Sequence, residues 1–386
     1  MGEKMILTDR DLVDLVAFRR KLHGMPELSR EEAGTAKEVE AFLSETGADR
    51  LIAGLGGHGL AAIYEGREPG PTLMFRAELD GLPIEETSEI AHRSRIPGKG
   101  HLCGHDGHMA VLAGLARALG RERPRIGRVV LLFQPAEEDG SGAAAVIADP
   151  RFLEVQPDFA FALHNLPGLP LGKVALKEGP VNCASRGMRI VLSGKTAHAS
   201  MPEFGLSPVD AVAALMPKLT ALGSGGPLEE SFAMVTVTHA RIGEPAFGVA
   251  PGRAEIWATL RTLTDHRMDE LCSSAEKLVR SVSGEKGLDV EITYDDIFRH
   301  CENAPEAVAH LRRALEAEGI AYDRGNLPMR ASEDFGRFGE KATAAMFFLG
   351  AGEKHPSLHN PDYDFPDELI GIGTRIFLRT VKNLLG

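Results

Sequence analysis

Cys103 and His105 stand two residues apart in the run Gly100-His101-Leu102-Cys103-Gly104-His105-Asp106-Gly107-His108. In an extended segment that spacing sends both side chains to one side, so a thiolate and an imidazole can reach the same ion. A second signal is Phe133-Gln134-Pro135-Ala136-Glu137-Glu138, where an apolar strand runs straight into two adjacent carboxylates. One carboxylate of such a pair can bind metal while the other accepts a proton from metal-bound water. A solvated acidic turn would carry the same two residues. His164-Asn165 again follows an apolar strand, and Leu358-His359-Asn360-Pro361 precedes the last helical stretch. A single histidine is more often a hydrogen-bonded structural residue than a ligand. Several such donors at strand ends and loops of one α/β domain are harder to dismiss together. Their mixed S, N and O character suits zinc, with manganese, cobalt or nickel as alternatives.

The elements that must position these residues show in the hydrophobic pattern. Thr8 to His23 reads as a capped amphipathic helix with Leu12, Leu15, Val16 and Phe18 on one face. Short apolar runs at Thr72 to Phe75, Val129 to Phe133 and Phe159 to Leu163 read as buried strands, alternating with helices at Gly107 to Leu119 and Gly142 to Ala148. That alternation predicts an α/β sandwich around a largely parallel sheet, which places ligand sites at the carboxyl ends of its strands. Past Gly179-Pro180 the pattern changes. Strands at Met188 to Leu192, Phe232 to Ile242, Ala254 to Leu263 and Val290 to Tyr294, with helices at Pro208 to Leu222 and Asp265 to Val282, describe a small two-layer α+β unit. The α/β pattern resumes with a helix through Ala317, a strand at Ala344 to Leu349 and a closing helix from Asp367 to Leu385. The expected architecture is a metal-bearing α/β domain, residues 1–183 and 299–386, interrupted by a smaller inserted domain, residues 184–298.

Composition narrows the function. A chain of 386 residues is long enough for two cores, and a formal charge of -12 argues against nucleic acid or anionic membrane as partners. A small-molecule substrate fits better. The four cysteines, Cys103, Cys183, Cys272 and Cys301, are too few and scattered for a disulfide framework, which points to a reducing compartment. Met1 to Arg10 lacks the apolar run of a signal peptide, and Ile6 stands where a myristoylation motif wants Ser or Thr. The expected location is the cytoplasm.

Nearly the whole chain resembles the M20 metallopeptidases, in their aminoacylase and hippurate hydrolase branch. The matching stretches are Arg76 to Ile84, the Cys-Gly-His-Asp-Gly-His run, Phe133 to Glu138, His164-Asn165, Gly194 to Pro202, Ser332-Glu333-Asp334-Phe335 and Leu358 to Phe365. The resemblance implies Cys103, His105, Glu138, His164 and His359 as ligands of two divalent metal ions, zinc or manganese first, with Glu137 as general base. Asp80 becomes the best candidate for the carboxylate that holds a ligand imidazole, though a loop cap would also account for it. The resemblance further implies that the inserted domain is a lid and a dimerisation surface. Its His198 would reach the substrate carbonyl, often in a partner subunit, and Arg261 would bind a substrate carboxylate; a surface charge on a strand would equally explain Arg261. One departure stands out: relatives commonly carry Asn-Val-Ile-Pro where this chain has Gly248-Val249-Ala250-Pro251.

The activity so implied is hydrolysis of N-acyl amino acids. A dipeptidase or carboxypeptidase would use the same site, and a metal-binding sensor without catalysis would share the ligands. The Glu137-Glu138 pair speaks against the sensor, which needs no general base.

Overall fold

The computed structural model describes residues 7–386. The features read from Met1 to Ile6 lie outside the described residues. The chain forms two compact units. One holds the residues up to Val181 together with Glu302–Leu327 and Asp334–Gly386; the other holds Asn182–Cys301 and the strip Pro328–Glu333. Six residues without periodicity carry no sign in the sequence of where that strip packs.

The first unit is built on an eight-stranded mixed sheet. Its order is Arg50–Leu55, Gly59–Glu65, Ile126–Gln134, Glu68–Glu78, Phe159–Pro167, Thr343–Gly352, Val174–Ala175 and Tyr322–Asp323. The four central strands, Ile126–Gln134 to Thr343–Gly352, run parallel, so their carboxyl ends meet at one edge. Helices cover this sheet, and its strands are apolar on both faces, as a parallel sheet demands. Phe75 illustrates the packing: its ring lies 5.5 Å from that of Phe161 and 4.8 Å from that of Phe377 on the closing helix.

The first helix, Asp9–His23, starts in a capping box. Thr8 Oγ accepts from the Asp11 amide, and the Asp11 carboxylate accepts from the Thr8 amide at 2.7 Å. The helix buries Leu15, Phe18 and Leu22 and is tied by buried charges to helix His105–Arg121, which carries the cysteine-histidine run at its start. Arg19 Nε lies 3.1 Å from Asp106 Oδ2, and His23 Nδ1 lies 2.9 Å from the same oxygen.

The second unit has a four-stranded antiparallel sheet in the order Ala233–Ile242, Arg253–Thr262, Ala184–Ser193 and Asp289–Phe298. Strand Arg253–Thr262 buries Ala254, Ile256, Ala258 and Leu260 and turns Trp257 outward, the alternation of a half-solvated sheet. Helices Val209–Ala221 and Asp265–Glu285 complete its core through Leu215, Leu219, Leu271 and Val279. All four cysteines are buried, and none forms a disulfide. No described helix is long and apolar enough to cross a membrane.

Candidate active site

The carboxyl edge of the parallel sheet gathers the residues singled out in the first unit. Ligand atoms of Cys103, His105 and His164 lie within 4.8 Å of one another; so do those of Cys103, Glu138 and His359, and those of His105, Glu137 and Glu138. Cys103 thus belongs to two of these groups. Asp80 borders the cluster. His198 and Arg261 belong to the second unit and are not members of it.

Local backbone shape sets each donor. Gly104 sits between Cys103 and His105 at φ 93°, and a Cβ there would come within 2.4 Å of Asn165 Oδ1. Only glycine takes that conformation in that space. Gly107 is equally constrained, since a Cβ would strike the Phe365 ring at 2.3 Å. Ala136 at φ 52° and His359 at φ 66° are left-handed without being glycine. Such strain survives where surrounding structure enforces it, and here it aims the Glu137-Glu138 pair and the His359 ring. The His359 amide donates to Leu102 O at 2.8 Å, fastening that loop to the cysteine loop.

The histidines are oriented from behind. His105 Nδ1 lies 2.8 Å from the Asp80 carbonyl oxygen and 3.5 Å from its carboxylate Oδ1, leaving Nε2 buried and without a hydrogen-bond partner. Asp80 therefore holds this imidazole mainly through its backbone. Its carboxylate Oδ2 accepts instead from Ser29 Oγ at 2.7 Å and from the Glu138 amide at 2.9 Å. His164 Nδ1 donates to Asn165 O at 2.8 Å, which leaves Nε2 facing Cys103 Sγ at 3.4 Å. A ring nitrogen tied to a carbonyl while its twin points into a donor cluster is the arrangement of a metal ligand.

Charge in the cluster is far from that of free side chains. Burial opposes a charge on His105, yet Glu78, Asp80 and Glu138 outweigh it and raise its pKa to about 10. Burial together with Glu138 and Glu137 pushes the Cys103 thiol well above its usual value. Burial and the neighbouring His108 hold His164 down to about 3. The cluster is rich in negative charge and keeps protons that a bound cation would displace.

Arg76, Glu78, His108 and Asp334 lie in stretches quoted from the sequence but were given no task there, and all four are buried. Glu78 Oε2 accepts from His108 Nδ1 at 2.7 Å and also pairs with Arg76; Glu78, His105 and His108 form a further donor group. Arg76 in turn contacts Asp334 Oδ1 at 2.5 Å, and Asp334 accepts from the Gln134 side-chain Nε2 and from Ala143 N, bracing the end of strand Ile126–Gln134. The available signal was the spacing of Glu78 and Asp80, which puts both carboxylates on one side of an extended segment.

In the second unit, His198 lies exposed on a two-stranded ribbon opposite Val249. The Ser200 amide donates to its Nδ1 at 3.2 Å, so the neutral ring carries its proton on Nε2. A Cβ at Gly248 would meet nothing within 4 Å, so the space around this backbone does not itself demand glycine.

A sequence model of Peptidase family M20/M25/M40 matches residues 74–383. The chain is 29% identical over 366 residues to an N-acetylcysteine deacetylase of Bacillus subtilis, spanning 94% of each protein. It is 30% identical over 357 residues to an N-acetyldiaminopimelate deacetylase of Exiguobacterium sibiricum, spanning 92% of this chain and 94% of that one. A dinuclear metal binding peptidase of the M20 family from Bacillus subtilis superposes with a TM-score of 0.82 at 26% identity, over 98% of this chain and 99% of that one. These likenesses define the class: a hydrolase acting on carbon-nitrogen amide bonds. The chain belongs to peptidase family M20/M25/M40, in its aminoacylase and hippurate hydrolase-like branch.

Proposed function

We propose that this protein hydrolyses the amide bond of N-acyl amino acids, with two divalent metal ions held by Cys103, His105, Glu138, His164 and His359 and with Glu137 as general base. The observation that carries the reading is the buried His105 Nε2, without a hydrogen-bond partner and 3.9 Å from both Glu137 Oε2 and Glu138 Oε1. The donor set of one thiolate, three imidazoles and a carboxylate suits zinc, with manganese, cobalt or nickel as alternatives. Ions bound there supply Lewis acidity, which lowers the pKa of water and polarises a carbonyl.

The protein's own residues do the rest. Glu137 takes the proton of the attacking water and returns it to the leaving amine. Asp80 fixes the His105 tautomer through its carbonyl and positions Glu138 through its carboxylate. His198, with its proton on Nε2, donates a hydrogen bond to the developing oxyanion, in the site of a second copy in a homodimer formed through the inserted unit. Arg261 pairs with the substrate carboxylate.

The test is turnover of a panel of N-acetyl amino acids, hippurate and dipeptides by metal-reconstituted protein. Release of free amino acid from the N-acyl compounds, abolished by chelation and restored by metal, is expected. Cleavage of dipeptides alone would shift the reading to a dipeptidase. Turnover that survives complete metal removal would refute the metal-dependent reading.

A further inference from the structure

The second unit carries a positive charge that its own residues leave uncompensated. Arg261, near the end of strand Arg253–Thr262, is half-buried. Its Nη1 donates to Arg330 O at 3.0 Å and to Ser332 Oγ at 2.9 Å, and no carboxylate among the described residues pairs with it. Burial lowers its pKa, and the Cys183 thiol is the one group that works in the opposite direction. A desolvated guanidinium without a counter-ion costs stability, so its retention needs a reason.

Arg330 supplies a second cation at the same place. It lies on the strip Pro328–Glu333, whose Met329 and Ala331 carbonyls both accept from the Cys183 amide, at 3.2 and 3.1 Å. The Arg330 side chain is exposed but not loose. Nη2 donates to Gly226 O at 3.1 Å, and the guanidinium stands 5.8 Å from the centre of the buried Phe232 ring. The two forks share a root, since Arg261 is hydrogen-bonded to the backbone of Arg330 itself. Both also act on one buried sulfur: burial pushes the Cys183 thiol up to about 11, against the pull of the Arg261 and Arg330 charges. The remaining N–H groups of both guanidiniums have no partner among the described residues.

We infer that Arg261 and Arg330 form a two-cation site for a dicarboxylate, which makes N-acyl derivatives of acidic amino acids the preferred substrates. The α-carboxylate pairs with Arg261 and the side-chain carboxylate with Arg330. This assignment rests on the reading of Arg261 as the substrate carboxylate clamp. One carboxylate relieves one cation only, and a fork with spare donors rewards a second carboxylate over an uncharged isostere. Selectivity then comes from the charge of the substrate side chain and not from its size.

The experiment compares N-acetyl-L-glutamate with its isostere N-acetyl-L-glutamine in the metal-loaded enzyme and in Arg330→Met and Arg330→Lys. Wild type is expected to favour the glutamate compound in kcat/KM by at least about tenfold, the scale of a charge-assisted hydrogen bond. Arg330→Met loses that preference, and Arg330→Lys keeps part of it. The same ratio in wild type and Arg330→Met overturns the site while leaving amide hydrolysis intact. A second measurement needs no turnover: glutarate is expected to raise Tm more than its monoamide does, and only when Arg330 is present. Should no N-acyl compound be hydrolysed while that difference persists, the dicarboxylate site stands and the proposed reaction falls. A glutarate effect identical in Arg330→Met overturns the site.

Discussion

Glu137 and Glu138 are adjacent in the chain, and the left-handed Ala136 before them turns the pair into the donor cluster. Under the proposed mechanism their substitutions separate two tasks. Glu137→Gln keeps the size and removes the proton acceptor, so turnover should drop by about 10²–10⁴-fold, with metal content near wild type. Glu138→Gln should lose bound metal along with turnover. Metal analysis beside steady-state rates decides this, and an active Glu137→Gln would remove the general base from the mechanism. Of the donors that cluster here, Glu137-Glu138 and His164 were visible in the sequence because they stand directly after apolar runs, and Cys103 and His105 because they stand two residues apart. Glu78 and His108 were not assigned a task, because a buried carboxylate paired with histidine and arginine looks in sequence like any solvated charge. The arrangement that makes Asp80 hold His105 through its carbonyl was also invisible, since it depends on backbone direction.

Helix His105–Arg121 and the loop before it act as one element. Replacing Gly104 by alanine would force a Cβ into a left-handed residue, a cost of about 1–2 kcal/mol, and would press it against Asn165. The expected result is a lower Tm and weaker metal retention from a substitution that removes no donor atom. A Gly104→Ala protein with wild-type metal content would show that the loop relaxes. Helix Asp9–His23 gives a pH dependence of its own. Burial works against a charge on His23, but Asp106 and Glu86 overcome it and raise its pKa from 6.5 to about 9. A folded-state pKa above the unfolded one means stability that is fully present below about pH 6.5 and lost as pH rises through about 9. Urea denaturation across this range should show wild type losing on the order of a few kcal/mol more than His23→Gln. Equal slopes for the two proteins would dismiss the ion pair as a contributor. The long elements were legible because their periodicity ran over many residues. Helix Ala33–Ser44 and strands Arg50–Leu55 and Gly59–Glu65 were not picked out. Gly59–Glu65 is buried on both faces, so it shows no alternation to read.

At the scale of the whole molecule, the proposed homodimer makes a direct prediction. If His198 of one copy serves the metal site of another, mixing His198→Ala with Glu137→Gln under verified subunit exchange should restore activity to about a quarter of wild type, from random pairing in two-fold dimers. A mixture as inactive as its parents would place His198 in the service of its own chain. The interrupted topology has another outcome, in the order of assembly. Strand Thr343–Gly352 pairs in parallel with Phe159–Pro167, yet all of Asn182–Cys301 is synthesised between them. During synthesis the growing sheet therefore presents an unpaired, apolar edge while the insert, whose sheet neighbours are closer in sequence, can already collapse on itself. Long-range pairing of this kind slows folding and exposes the chain to aggregation. The last strand to emerge closes the sheet beside His164, so the edge that carries the donor cluster is completed only when synthesis is nearly over.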